Sequence, residues 1–128
     1  MDLIEELWRR AAPAVFISRE EFIANLEGCE IALVEHDGAP LAIRVVRGAE
    51  YHFVTLGTGK PIPLAVVRAE LQPIIDAHGC VTTRTPKDEP RQRRFNRAIG
   101  FEPVGEDEFF IHYRMTTPFW AKRDRCRS

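Results

Sequence analysis

The sequence has few cysteines, and their arrangement suits neither a zinc site nor a disulfide framework. Cys29, Cys80 and Cys126 are the three, and none has a second cysteine at the C-x-x-C spacing of metal and redox sites. An odd count of widely separated thiols is typical of a reducing compartment. We therefore expect a cytoplasmic protein without structural metal or disulfides.

Long hydrophobic runs and an excess of one charge are also missing. No apolar stretch approaches the roughly 20 residues that cross a membrane, and the acids Asp2, Glu5 and Glu6 stand where a signal peptide needs a basic segment. The formal net charge is −1, whereas proteins that bind nucleic acids or membrane surfaces usually carry a basic excess. We expect neither kind of partner.

The length and hydrophobic content of the chain are sufficient for one hydrophobic core. The chain has 128 residues, of which 45% are hydrophobic and 29% charged, and a chain of this length is too short for two independent cores. We predict a single domain over residues 1–117. Residues 118–128 are mostly polar and basic, and we expect a weakly ordered tail there.

The first half of the chain predicts two helices and three strands. Apolar residues at helical spacing indicate a helix over residues 2–11, and Ser18 with Glu21 forms a capping box for a second helix that stops at Gly28. Alternating apolar residues predict strands on either side of Asp37-Gly38, which is a hairpin turn signal. β-branched and aromatic residues predict a third strand over residues 51–56.

The second half predicts two further helix–strand pairs. A loop at residues 57–60 precedes a long helix over residues 62–78 that ends at Gly79, and a strand follows over residues 80–85. A shorter helix over residues 90–99 is closed by Gly100, and the last strand covers residues 109–115. Pro73 lies inside the long helix and should bend it.

The order of these elements resembles the GNAT superfamily of acyl-CoA-dependent N-acyltransferases. In that family the short helix runs into a Gly-Phe pair, matched here by Gly100-Phe101, and the last strand usually ends in Met, matched by Met115. The resemblance covers residues 18–115. It implies an α/β (α+β) domain with a central, mixed, mostly antiparallel twisted sheet flanked by helices, in which the strands at 51–56 and 80–85 run parallel and splay apart. The family's first strand has no counterpart, because this chain opens on a helix.

The resemblance implies that acetyl-CoA or another acyl-CoA binds between those two parallel strands. The family's strongest signature is Arg or Gln followed by x-x-Gly-x-Gly or Ala, whose backbone N–H groups hold the pyrophosphate. Here Lys60 takes the basic position, Pro63 replaces the first Gly and Ala65 takes the last. Pro61 and Pro63 have no N–H, so we expect weak or absent binding. The implied cofactor contacts are Val54, Thr55, Leu56, Gly57, Thr58, Gly59, Lys60, Ile62 and Asn96.

The resemblance also implies the catalytic groups. The third strand supplies the general base in many relatives, which here gives Glu50 or His52. The Tyr that many members use as general acid lies four residues before the glycine of the Gly-Phe pair. Asn96 takes that position, and an amide cannot donate a proton to a thiolate. The acid role would fall to Tyr113 or to water.

Each of these features also has a purely structural interpretation. The loop at residues 57–60 suits a plain strand-to-helix turn as well as a phosphate site. An isolated His or Glu on a strand is more often a satisfied or solvated side chain. The arginines at positions 91, 93, 94 and 97 are more often a solvated, salt-bridged helix face than a nucleic-acid surface.

Two functions are therefore open at the level of sequence. The first is an N-acetyltransferase that moves an acyl group from acyl-CoA to an amine of a small molecule or a protein. The second is a GNAT-like domain without catalysis that serves as a binding or assembly module for a partner protein or a second copy of itself. The short chain is similar to the small GNAT-like proteins of tailed phages, which is in keeping with the second function.

Overall fold

The computed structural model describes residues 2–11, 17–56 and 62–121. The elements in chain order are α1 Leu3–Ala11, α2 Arg19–Asn25, β1 Glu30–His36, β2 Ala39–Arg47, β3 Glu50–Thr55, α3 Leu64–His78, β4 Val81–Pro86, α4 Pro90–Ile99, β5 Glu102–Glu106 and β6 Phe110–Met115. Six strands form one sheet in the order β1-β2-β3-β4-β6-β5, and β3 pairs with β4 in parallel. This is the predicted mixed α+β class, with a mostly antiparallel sheet.

The chain divides into two compact units. The first contains the described residues of Met1–Arg47 and His52–Pro61, and the second those of Gly48–Tyr51 and Ile62–Ser128. In the first unit the β1–β2 hairpin turns at Asp37 and Gly38, which both have positive φ values, 52° and 77°. That pair of angles is typical of the tight turn that matches strand twist, so the hairpin predicted from Asp-Gly is confirmed.

The core of the first unit forms between its two helices and one face of its strands. Leu7 of α1 is buried together with Ile43 and Val45 of β2. Partly buried apolar side chains surround these three, among them Phe22 of α2. The hydroxyl of Ser18 accepts a hydrogen bond from the Glu21 N–H at 3.1 Å, as the predicted capping box requires. Both predicted helices are present, but α2 ends at Asn25 with Leu26 as its C-cap, three residues before the predicted stop at Gly28.

In the second unit α3 continues through Pro73 and ends at Gly79, whose φ is 78° and whose N–H donates to the Ile75 carbonyl at 2.7 Å. The start of α3 differs from the prediction. The sequence predicted residue 62, whereas Pro63 is the N-cap and Leu64 the first helical residue. Pro63 itself has extended backbone angles, with φ −59° and ψ 136°, and a proline disfavours helical angles in the residue before it, which is Ile62.

Helix α4 has the predicted bounds, and its end is the most constrained turn of the second unit. Gly100 has a φ of 118°, and the Phe101 N–H donates to the Asn96 carbonyl at 2.9 Å. Phe101 is buried, and its ring meets that of Tyr113 edge to face with centroids 6.4 Å apart. Gly100 thus closes the helix, as the sequence predicted, and the buried Phe101 anchors it.

Strand β5 was not predicted, and the reason lies in its exposure. Every residue from Glu102 to Glu106 is exposed, so the strand has no alternation of apolar and polar residues to identify it. Pro103 and Gly105 also disfavour a strand assignment. It pairs with β6 across a bulge: Pro103 lies opposite Tyr113 and Gly105 opposite His112, which leaves Val104 without a partner.

The segment that follows β6 packs back onto the second unit. Residues 119–121 form a helical turn, and Trp120 is only 3% exposed. Its indole N–H donates to the side-chain oxygen of Gln72 on α3 at 2.6 Å. The part of the predicted tail that the structure describes is therefore packed at Trp120; residues 122–128 lie outside the described residues.

Candidate functional site

The acyl-CoA site predicted from the sequence depends on the parallel pairing of β3 with β4. Glu50 lies in register with Thr82, and the Thr82 N–H donates to the Ala49 carbonyl at 2.8 Å. Parallel neighbours need a crossover connection, which α3 supplies in the chain. The predicted parallel pairing is confirmed; the predicted splaying of the two strands stays a prediction.

The predicted cofactor contacts are only partly within the described residues. Gly57, Thr58, Gly59 and Lys60 lie outside them. Val54 and Leu56 are half-buried and Thr55 is exposed. The backbone N–H of Leu56 already donates to the Leu41 carbonyl at 2.9 Å, so this donor is engaged.

The first turn of α3 presents backbone donors that the sequence analysis did not name. Val66 and Val67 both donate to the Pro63 carbonyl, at 3.0 and 3.2 Å. Leu64 and Ala65 are the first two residues of this helix, and the first N–H groups of a helix have no acceptor within the helix itself. The first N–H groups of a helix form a ready anion site. Because the helix starts later than predicted, these two donors take the place expected for Ile62.

The side chain of Asn96 is buried and hydrogen-bonded within the protein. It is 2% exposed, and its amide nitrogen donates to the Thr85 hydroxyl at 2.8 Å while its oxygen accepts from Gln92 at 3.0 Å. The partnership with Thr85 joins α4 to β4. Both ends of the amide are thus engaged within the protein, and no proton donor stands at the position of the family acid.

Glu50 and Tyr113 project to opposite faces of the sheet. Residues in register share a face and successive residues alternate. Glu50 is in register with Thr82, whereas Tyr113 is in register with the next residue of β4, Thr83. The structure therefore does not bring this base candidate and this acid candidate together on one face. His52, the other base candidate, is half-buried on β3.

Tyr113 instead lines a cleft between α4 and the β5–β6 hairpin. The cleft has a volume of about 300 Å³, and its walls are Arg93, Arg97, Pro103, Gly105, Glu106, Ile111 and Tyr113. From the sequence, a solvated helix face was the favoured interpretation of these arginines, and no contact with Tyr113 was predicted. The i, i+4 spacing of Arg93 and Arg97 was the available signal, because it places both on one side of the helix.

The described residues contain neither a candidate metal-binding group nor a candidate membrane-spanning helix. Within residues 2–11, 17–56 and 62–121, no group of three or more His, Cys, Asp or Glu side chains could hold a metal ion. In the same ranges, no helix combines the length and apolar character that a membrane span requires.

Comparison with known proteins gives structural neighbours among solved structures. No family model matches the chain, and no curated protein matches it. Among solved structures, the apo form of FdhC, a nucleotide-linked sugar GNAT, is similar with a TM-score of 0.61 at 16% identity, over 97% of this chain and 84% of that one.

Two further structures agree with the first. A ribosomal-protein-alanine N-acetyltransferase from Brucella melitensis is similar with a TM-score of 0.59 at 11% identity, over 87% of this chain and 92% of that one. A GNAT family acetyltransferase from Elizabethkingia anophelis, solved with acetyl-CoA bound, is similar with a TM-score of 0.53 at 13% identity, over 77% and 82%. The chain has the GNAT fold.

Proposed function

We propose that this protein binds an acyl-CoA and transfers its acyl group to an amine. The observation that carries the proposal is the start of α3 at Leu64, where the first N–H groups of the helix have no acceptor within the helix itself. This helix follows β3 directly in the chain and leads into its parallel neighbour β4. The fold supports the same function, since its structural neighbours include an acetyltransferase with acetyl-CoA bound.

The phosphates of the acyl-CoA would bind at this helix start. The positive end of the helix dipole and the N–H groups of the first turn favour an anion, and the sequence has the positively charged Lys60 four residues before Leu64. Pro61 and Pro63 contribute no donors. Each missing charge-assisted bond weakens binding by about 1.5–3 kcal/mol, so two of them move the affinity from roughly micromolar toward millimolar. Binding is therefore weak in this proposal.

The chemistry needs one base on the protein. The amine nitrogen attacks the thioester carbonyl carbon, so that an N–C bond forms, the C–S bond breaks and the sulfur leaves as a thiolate. Glu50, or else His52 on the same strand, takes the proton that the amine loses. The thiolate then takes a proton from water, because Tyr113 and Glu50 project to opposite faces. Positioning supplies most of the rate gain, and proton transfer about 10²–10⁴-fold.

One observation favours the alternative, a GNAT-like binding or assembly module without catalysis. The family acid position holds Asn96, which is buried and hydrogen-bonded to Thr85 and Gln92. A side chain so engaged fits a stabilising role, as expected after the loss of an acid. In this alternative the partner is a protein, which for a phage-encoded chain would belong to the phage or its host.

Calorimetry with acetyl-CoA and CoA separates the two functions. Wild type should bind both ligands at high micromolar to millimolar concentration. Lys60→Ala should weaken binding about tenfold, and Pro63→Gly, which restores an N–H at the N-cap, should tighten it about tenfold. Lys87→Ala is the matched control, because Lys87 is engaged with Glu106 at 3.1 Å. Micromolar binding that is indifferent to Lys60 and Pro63 would contradict the phosphate site.

Turnover is tested by the release of free thiol from acetyl-CoA with a panel of amines. Glu50→Gln should lower the rate about 10²–10⁴-fold if Glu50 is the base, and His52→Gln distinguishes the second candidate. Binding of acetyl-CoA without turnover for any amine, or no binding by any variant, would support the binding module.

A further inference from the structure

We propose that the cleft between α4 and the β5–β6 hairpin is a binding site for a small organic acid. The site would recognise a carboxylate through two arginines and a tyrosine hydroxyl, and the apolar body of the ligand through Pro103 and Ile111. This proposal does not depend on acyl transfer, since it concerns side chains that the acyl-CoA proposal does not use.

The bulge in β5 brings residues of β5 and β6 onto the same face of the hairpin, where they line the cleft. Tyr113 and Ile111 lie two residues apart on β6 and share a face. Their register partners are Pro103 and Glu106, which are three residues apart and would lie on opposite faces in a regular strand. The unpaired Val104 shifts the register and turns both toward the cleft. Gly105 adds no side chain, and a Cβ there would meet nothing within 4 Å, so the cleft stays open beside it.

The charge of the cleft is positive. The guanidinium of Arg93 donates one hydrogen bond, to the Lys87 carbonyl at 3.2 Å, and Arg97 is exposed. Neither arginine has an ion pair among the described residues. The carboxylate of Glu106 is already met by the Lys87 ammonium at 3.1 Å. Two guanidinium groups therefore remain for an anion, and their planar N–H forks match a carboxylate.

Tyr113 supplies a further polar group to the cleft. The residue is 2% exposed, and no hydrogen bond to its hydroxyl is found in the part of the chain that the structure describes. Its hydroxyl is not among the fully enclosed atoms that lack a partner in that part, so the small accessible area of the residue is compatible with a hydroxyl that is open to the cleft. A bound carboxylate could therefore accept a hydrogen bond from this hydroxyl as well as from the arginines.

The size and lining of the cleft set the class of ligand. Its volume of about 300 Å³ is at the lower end of the roughly 300–1,000 Å³ of ligand pockets. Pro103 and Ile111 offer an apolar wall that inorganic phosphate cannot use. A carboxylate on a ring or a short hydrocarbon fits this combination better than a bare anion.

NMR titration of the whole chain with benzoate, hexanoate and inorganic phosphate tests the site. We expect saturable shifts of the Gly105 and Glu106 backbone amides and of the Arg93 and Arg97 Nε–H signals with the two organic acids, and weaker binding of phosphate. Equal affinity for phosphate and benzoate would overturn the role of the apolar wall. No saturable shift with any of the three would overturn the site.

Matched variants identify the groups that bind. Tyr113→Phe removes only the hydroxyl and keeps the ring beside Phe101, and Arg97→Gln removes one charge; each should weaken benzoate binding about tenfold. Arg94→Gln on the same helix lies outside the cleft and should change the affinity less than about twofold. An equal loss in Arg94→Gln and Arg97→Gln would mean that only the general charge of the helix acts. Unchanged affinity in Tyr113→Phe would remove the hydroxyl from the site.

Discussion

The side-chain amide of Asn96 donates a hydrogen bond to the hydroxyl of Thr85 at 2.8 Å, and both side chains are 2% exposed. Helix α4 is joined to β4 by this contact, at the position to which the resemblance to the GNAT superfamily assigned the general acid. We therefore expect Asn96 to stabilise the folded protein.

A double-mutant cycle on this pair should reveal coupling. Asn96→Leu and Thr85→Val each leave one buried polar partner unsatisfied, and each should lower the free energy of unfolding by about 1–3 kcal/mol. The double variant should lose less than the sum, because both polar groups are then absent. Denaturant unfolding measures all four proteins. Strict additivity would show that the hydrogen bond contributes nothing specific.

Gly100 should be far less replaceable than Gly79, although both end helices with positive φ. A Cβ at Gly100 would lie 3.0 Å from the Thr117 carbonyl oxygen and 3.1 Å from the Pro118 Cα, whereas one at Gly79 would meet nothing within 4 Å. We expect Gly79→Ala to cost about 1–2 kcal/mol and Gly100→Ala about 2–6 kcal/mol, from backbone strain and overpacking together. Equal losses in thermal unfolding would show that the contacts after β6 are not tight.

Trp120 should stabilise the second unit despite its position near the end of the chain. Trp120→Ala removes a buried indole and should cost about 3–5 kcal/mol. Trp120→Phe mainly removes the hydrogen bond to Gln72, at about 1 kcal/mol. Phe119→Ala, at an exposed neighbour, is the control and should cost about 0.5 kcal/mol or less. Urea unfolding that shows no difference between the Trp120 and Phe119 variants would contradict this packing.

Asp107 should make stability depend on acid pH. Its carboxylate accepts hydrogen bonds from the Phe109 and Phe110 N–H groups and lies 2.8 Å from His112 Nε2. These contacts, the one from Phe109 foremost, lower its pKa from 3.8 to about 2. A lowered folded-state pKa adds stability that is present above the unfolded value and is lost as the pH falls toward about 2.

The variant Asp107→Asn should therefore lose less stability than wild type between about pH 5 and about pH 2. The melting temperature across this range measures the difference, and Asp88→Asn, at another exposed acid, is the control. Parallel pH profiles for wild type and Asp107→Asn would show that the turn does not hold the carboxylate as described. The carbon shift of the carboxyl group, followed by NMR, gives the pKa directly.

The local features of the fold could be predicted because they depend on residues a few positions apart. Asp37-Gly38 gave the hairpin, Ser18 the start of α2, and Gly100 the end of α4. The start of α3 was predicted two residues early, because proline fits either the first turn of a helix or the extended segment before it. The backbone donors of the candidate phosphate site moved to Leu64 and Ala65 for that reason.

The sequence by itself determined the helices, five of the six strands and the closing Gly-Phe pair. Hydrophobic periodicity and helix capping depend only on residues within one short segment. Only the tertiary structure decided β5 and the faces of the sheet. An exposed strand has no hydrophobic alternation, and the face of a side chain depends on a register that one bulged residue reverses. The β3–β4 and β4–β6 registers put Glu50 and Tyr113 on opposite faces, and the packing of α4 engages Asn96 with Thr85. Contacts between residues distant in the chain therefore determine which candidate site residues can act together.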